Sequence, residues 1–350
     1  MRDSDLRLVP LGRFPGRRVL TWHHDALYVS RKYSLWRWIP PENRWDFVAR
    51  YHPDWTRVLS SATRLGGRLR RDGFHALAVL PDGGLVATLP RAIAICPPGQ
   101  RDFRVAWHIT RGTRPLSLAV LPSGAMYWGE YFDNPRRDQV HVYGSPDGGR
   151  TWDVVYTFPA GTIRHVHSIT YDPYHDYLWM CTGDYGAECH IMRVSTDWKT
   201  VEPVLGAGQQ SRAVRPIPTP DGLYFATDSE LEQNYIYCLT SDGRLEQLCP
   251  ISGPGMWACQ VDSALFFATD VEPSKVNLEP FACVYGSRDG KAWSKLVAWR
   301  KDPWSMPLFQ FGNIILPSGP NRTHLLAATG MSVRGEDGVM HVWTVSPQGL

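Results

Sequence analysis

One stretch of the sequence carries the groups that proton transfer or metal binding needs. His165 and His167 stand two residues apart in RHVHSIT (164–170), which reads as a β-strand, so both imidazoles are expected on one side of it. Asp184 and Glu188 follow in TGDYGAECH, on the loop after the next strand. Two imidazoles beside a carboxylate can serve as general base and general acid. The same four groups also make a ligand set for a divalent metal such as zinc. The plainer reading has one histidine closing a strand end and the aspartate tying down its loop. One unit further along, Arg212 occupies the slot of His165. Its planar guanidinium suits bidentate binding of an anionic group, or a salt bridge to an aspartate of a neighbouring unit.

These groups can meet only if the chain returns regularly on itself, and the sequence does repeat. Seven segments share an apolar strand, a turn rich in Pro, Asp and Gly, a second apolar or aromatic strand and a small polar cluster. They fall at 17–31, 74–89, 115–130, 164–184, 211–228, 256–270 and 308–330. Their spacing is near the ~40–50 residues of one propeller blade. Period-two alternation and the lack of a convincing helical window predict an all-β chain. The expected architecture is a single β-propeller domain over residues 1–350, with seven four-stranded blades. Six blades is the alternative, because the first two units are the most degenerate and the 53–73 connection is long. The seventh unit offers three strands, NIIL, HLLAAT and VMHVWTV, while DLRLVPL near the N-terminus stands alone. Donating that strand to the last blade would close the ring and cover two sheet edges.

In a propeller, the start of each first strand and the loop after each second strand share one face. The aligned repeats therefore name the residues of the funnel mouth. His75, Arg164, His165, His167, Arg212, Trp257 and Gln310 come from the first set. Glu130, Tyr131, Asp184, Tyr185, Glu188, His190, Asp228, Glu230, Gln233, Asn234, Asp270 and Glu272 come from the second. Asp184, Asp228 and Asp270 recur at equivalent places, which fits a shared structural task such as bonding loop amides.

Composition narrows the classes. The formal net charge is +3, from intermixed charges. The densest basic run, RLGGRLRR (64–71), has no interleaved aromatics and reads as a solvated connecting loop, so no nucleic-acid partner is expected. No apolar run reaches the ~20 residues of a membrane helix, so no membrane partner is expected either. The seven cysteines are odd in number, form no CxxC pair and sit partly in apolar strands such as LWMC and YIYC. They read as reduced, buried small hydrophobes. MRDSDLRLVPLGRF lacks the apolar core of a secretory signal. The expectation is a cytoplasmic protein, with a processed secreted form as the alternative. No nucleotide fingerprint, P-loop or nucleophile elbow is present, so no cofactor is expected beyond the divalent metal option.

Between the third and fourth strands of unit three stands SPDGGRTWDVV (145–155), and unit six holds SRDGKAWSKLV (287–297) in the same place. Both resemble the Asp-box, or bacterial neuraminidase repeat, Ser-x-Asp-x-Gly-x-Thr-Trp, the second being one residue short. STDWKT (195–200) and TSDGRL (240–245) are degenerate versions. Asp147 or Asp289 can accept turn amides, Gly148 or Gly290 can take positive φ, and Trp152 or Trp293 can fold back to pack. The chain thus resembles sialidase-like propellers and, more loosely, propeller polysaccharide lyases. It departs from sialidases where an early Arg-Ile-Pro would stand: the nearest segment is Arg13-Phe14-Pro15-Gly16. The resemblance places the boxes on the face opposite the active site. It implies a carbohydrate-active enzyme acting on an acidic or uronate-containing oligo- or polysaccharide, either a lyase or a hydrolase. The catalytic set would come from His165, His167, Asp184, Glu188 and Arg212. His75, Glu130, Tyr131, Tyr185, Asp228, Asn234 and Trp257 would bind substrate. A lyase would set Arg212 on the substrate carboxylate and move protons with His165 or His167; a hydrolase would need two opposed carboxyl groups from Glu130, Asp184, Glu188 and Asp228. The rival is a non-catalytic propeller that binds a glycan or a protein on the same face.

Overall fold

The computed structural model describes residues 6–347, and seven four-stranded antiparallel blades account for all 28 of its strands. In chain order the blades occupy 18–51, 76–108, 119–158, 166–206, 217–250, 255–300 and 313–347. Blades one and two also touch edge to edge, through a short parallel contact of Arg50 with Asp102 and Tyr51 with Phe103. Six blades is thereby excluded.

The two expected ends meet. The strand Leu6–Pro15 pairs antiparallel with Val339–Pro347, from Leu6 opposite Pro347 to Pro15 opposite Val339, with a bulge between Pro10 and Gly12. It is the outermost strand of blade seven, so the seventh sheet is built from both ends of the chain. Of the predicted segment DLRLVPL, Asp5 lies outside the described residues.

Why the strands read as they do follows from layering. A second strand such as Ala264–Thr269 is buried at every position, because neighbouring blades cover both its faces. An outer strand such as Ser294–Arg300 alternates between partly buried and exposed. Among the described residues the apolar core divides into seven clusters, and every one lies between two adjacent blades. The first joins blades six and seven through Phe266, Val284, Ile314 and Leu326, and the fourth joins seven and one through Val29, Trp38, Ala327 and Met340.

The turns read as Asp-boxes join third and fourth strands in blades three to six. Asp147 Oδ1 accepts the amides of Arg150 and Thr151 at 3.0 and 2.9 Å, and Trp152 Nε1 donates to the Gly149 carbonyl at 3.1 Å. In the short copy Asp289 Oδ1 takes the amides of Lys291 and Ala292, both at 2.8 Å, and Trp293 Nε1 again finds a carbonyl, that of Gly290. Gly148 and Gly290 both sit at positive φ, 73° and 71°. Ser145 donates its hydroxyl to Asp147 and Ser287 to Asp289, and Ser195 with Asp197 and Thr240 with Asp242 repeat that bond in the degenerate copies.

The 53–73 connection departs from expectation. It holds two short helices, α1 (Trp55–Ser60) and α2 (Arg64–Leu69). Asp54 caps the first by accepting from the amides of Thr56 and Arg57, and Thr63 caps the second through Gly66. Nor is the RLGGRLRR run simply solvated. Arg68 is buried, pairs with Asp302 at 2.5 Å and donates from Nε to the Phe309 carbonyl at 2.8 Å. Six residues hid this helix from a periodicity reading, and its anchor lies more than 230 residues away in sequence.

Candidate functional site

Blade four builds the site. His165 lies just ahead of the inner strand Val166–Asp172, and the register slips between Val166 and Ser168, so His167 is the extra residue of a β-bulge. Simple alternation therefore does not aim these rings; the bulge does. Asp184 follows the second strand after Gly183, whose φ of 128° brings the chain so close to Cys189 that an added Cβ would lie 2.7 Å from its Cα. The Asp184 carbonyl accepts from Gln209 Nε2 at 2.9 Å, which holds the loop against blade five.

The three side chains meet at their tips. His167 Nε2 is 3.1 Å from His165 Nε2 and 3.1 Å from Asp184 Oδ1, and His165 Nε2 is 3.3 Å from the same oxygen. All three are buried. Each imidazole is tied at its other nitrogen: His165 Nδ1 to the Phe132 carbonyl at 3.0 Å, His167 Nδ1 to the Ala213 carbonyl at 2.9 Å. A carbonyl only accepts, so both Nδ1 atoms carry the proton, and in the neutral rings both Nε2 atoms present lone pairs. Two lone pairs and a carboxylate oxygen cannot satisfy one another. They require an added proton or a cation among them. Burial lowers the pKa of His165, which disfavours the proton on that ring.

A divalent metal passes the test of fit. Ligand atoms about 2.0–2.1 Å from a tetrahedral zinc lie roughly 3.3 Å apart, which these three satisfy, and imidazoles held at Nδ1 by backbone carbonyls are the usual outer support of such ligands.

Charged groups surround this core. Arg164 Nη1 is 3.2 Å from Asp184 Oδ2, and Arg164 also pairs with Asp133. Arg212 reaches Asp184 Oδ1 with Nη2 and Asp228 Oδ2 with Nε, both at 3.3 Å. Burial alone would raise Asp184, but His165 and His167, which bond its carboxylate once protonated at Nε2, outweigh it and hold its carboxyl well below the usual range. Burial raises Asp228 and raises Asp270 strongly. Burial and the nearby Asp228 charge push Glu272 up to about 8. The Tyr131 ring packs 4.3 Å from that of His165. Tyr185 is partly exposed, donates to Glu230 Oε1 at 2.6 Å and lies under the guanidiniums of Arg164 and Arg212.

Other expected members stand elsewhere. Glu188 turns away: its carboxylate accepts from Arg137 Nε and Nη2 at 3.0 and 2.8 Å and caps the Tyr185 amide at 3.0 Å. Glu130 is held by Arg111 and the His141 amide. Asn234 is locked among Thr227, Ser229 and Asn277. His75 and Trp257 line the axial channel with different partners. Arg212 is the inter-blade salt bridge that its structural reading described. The repeats put Arg164 and Glu272 at the mouth without a role, and no local pattern marks their pairings.

No family model matches the sequence, and no curated protein matches it. Solved structures place the chain among β-propellers. It is similar to the β-propeller domain of Myceliophteria thermophila Cps50 (Swd1), at 11% identity and a TM-score of 0.59, covering 97% of this chain and 100% of that one. The WD40 β-propeller domain of Doa1 gives 10% identity and a TM-score of 0.55 over 98% and 97%. The Niastella koreensis GH74 enzyme gives 16% identity and a TM-score of 0.53, over 82% of this chain and 46% of that one. At these identities the likeness is one of fold.

Proposed function

We propose that the protein is a carbohydrate-active enzyme that cleaves glycosidic bonds in an acidic or uronate-containing glycan, with its chemistry centred on His165, His167 and Asp184. One observation carries the reading: three buried acceptor atoms converge within 3.3 Å, their rings fixed from behind. A fold gains nothing from such an arrangement unless it holds a proton or a cation. A divalent cation held there would polarise an oxygen of the substrate.

The surrounding residues have distinct tasks. Asp184 stays ionised. Arg164 and Arg212 position its carboxylate and offset its charge. Arg212 is consumed by Asp184 and Asp228, which argues against its binding a substrate carboxylate directly. Glu272 retains its proton near neutrality and is the natural proton donor of the mouth. Tyr185 offers a partly exposed ring for a sugar face. Elimination from a uronate is favoured over hydrolysis, because, of the four carboxyl groups expected to supply an opposed pair, Glu130 and Glu188 are engaged elsewhere, and Asp184 and Asp228 share Arg212.

The test is to incubate the purified chain with uronate-containing polysaccharides. A lyase produces an unsaturated sugar seen by ultraviolet absorbance; a hydrolase produces reducing ends alone. His167→Gln, which keeps most of the side-chain volume, should abolish the product. Turnover that survives in His167→Gln, or no product from any acidic glycan, removes the proposal in favour of a binding propeller.

A further inference from the structure

Three arginines outside the site above meet on the propeller axis. Arg18 begins the inner strand of blade one, and Arg114 and Arg215 lie just ahead of the inner strands of blades three and five. With His75 of blade two and Trp257 of blade six they line one narrow cavity of about 30 Å³, room for a compact ion. It sits where two larger spaces meet. A channel of about 680 Å³ shares His75, Arg215 and Trp257, and a cavity of about 270 Å³ over blades one, two and seven shares Arg18 and His75.

What sets these arginines apart is the lack of counter-charge. Among the described residues none of the three makes an ion pair, whereas Arg68, Arg164 and Arg212 each pair with aspartate. Arg18 Nε is buried without a hydrogen-bond partner. Arg215 gives one bond to the Leu116 carbonyl at 2.7 Å and lies 4.5 Å over the Trp257 ring, which aims it at the axis. His75 Nε2 donates to the Arg71 carbonyl at 2.7 Å, and its buried Nδ1 has no partner. Enclosure and the mutual repulsion of Arg114, Arg64 and Arg215 push Arg18 down to about 9; enclosure brings Arg114 and Arg215 to about 10. Gathering unpaired, half-buried cations on the wall of one narrow cavity is unfavourable by itself, and a bound anion offsets their repulsion.

We propose that this ring of Arg18, Arg114 and Arg215 is a binding site for a tetrahedral oxyanion, a phosphate or sulfate group. A planar carboxylate presents two oxygens in one plane. A tetrahedral group presents three or four, and here guanidiniums come from three blades around the axis. The group can be the free ion, or an ester on a larger molecule that occupies the wide channel. The assignment does not rest on the glycan reading, since it shares no residue with the histidine site.

The test is calorimetric titration of the full chain with inorganic phosphate and with sulfate at low ionic strength, beside thermal melts at matched ionic strength in sodium chloride. Saturable binding and a raised Tm are expected for the two oxyanions and not for chloride. Arg114→Gln and Arg215→Gln should each weaken binding by at least about tenfold. Arg114→Gln should not lower the Tm of the anion-free protein, because it removes a repulsion with Arg18 and no hydrogen bond among the described residues, whereas Arg215→Gln also loses its bond to Leu116. Repeating the titration with p-nitrophenyl phosphate separates the sources: tighter binding than phosphate indicates an esterified ligand, weaker binding the inorganic ion. If neither oxyanion binds saturably to the wild-type chain, or if folded Arg114→Gln and Arg215→Gln bind as the wild type does, the site does not exist. The wild-type titration decides the matter even where a variant fails to fold.

Discussion

Asp184 is the residue on which the mouth depends, because four cationic or potentially cationic groups share its two oxygens. Asp184→Asn removes the charge and keeps the shape, leaving Arg212 with Asp228 alone. The expected loss is about 3 kcal/mol in urea unfolding, together with loss of any metal that elemental analysis finds in the wild type. A variant as stable as wild type would mean that the network is a surface feature. Glu272 gives a prediction with a definite sign. Its folded pKa of about 8 lies above its ordinary 4.5, so the folded state binds the proton more tightly than the unfolded one. Stability from this group is complete below pH ~4.5 and is lost as pH rises toward ~8. The decline in unfolding free energy across that window should therefore be shallower in Glu272→Gln; equal slopes would show that Glu272 titrates normally. At this scale the sequence revealed His165, His167 and Asp184 because they lie on one strand and the loop after the next. It hid the fate of Glu188, whose partner Arg137 is 51 residues away on another blade. It also hid the unpaired arginines, although Arg114 and Arg215 each stand before a proline at the start of a repeat, a signal that could have been read.

Among elements, the closing strand is the one whose position carries most consequence. Leu6–Pro15 covers the edge of Val339–Pro347 and places Leu6, 3% exposed, against Phe266 and Val284 in the core between blades six and seven. Deleting residues 1–15 bares a nine-residue strand edge, a template for pairing with other chains. The truncated protein should elute as oligomers in size-exclusion chromatography while the full chain does not; a monodisperse, folded truncation would show that closure is dispensable. This element was readable because a lone apolar strand at one end answered a blade short of one strand at the other. Helix α2 was not, since a six-residue helix spans too few turns to show a period and its Thr63 cap is a one-residue signal. Arg68 acts across blades instead of along the chain, and one-dimensional patterning is blind to that.

For the molecule as a whole, the placement of the seven apolar clusters matters more than their size. Each blade lends one face to the cluster before it and the other to the cluster after it, and the cluster holding Val29, Trp38, Ala327 and Met340 closes the circuit from blade seven to blade one. A blade has no core of its own, so a blade that opens exposes half of two cores at once. In an open repeat array the end units lack a neighbour on one side and can fray; here no unit is terminal, because the N-terminal strand completes the last blade. Unfolding should therefore be a single transition, coincident by tryptophan fluorescence and far-ultraviolet circular dichroism. Met126→Ala, at a fully buried position between blades two and three, should cost roughly 2–5 kcal/mol. It should move the whole curve to lower denaturant with no plateau, and Phe266→Ala on the far side of the ring should do the same. If either substitution splits the curve, with one probe melting before the other, the blades are separable folding units and closure of the ring is not what holds the mouth residues of blades four to six in register.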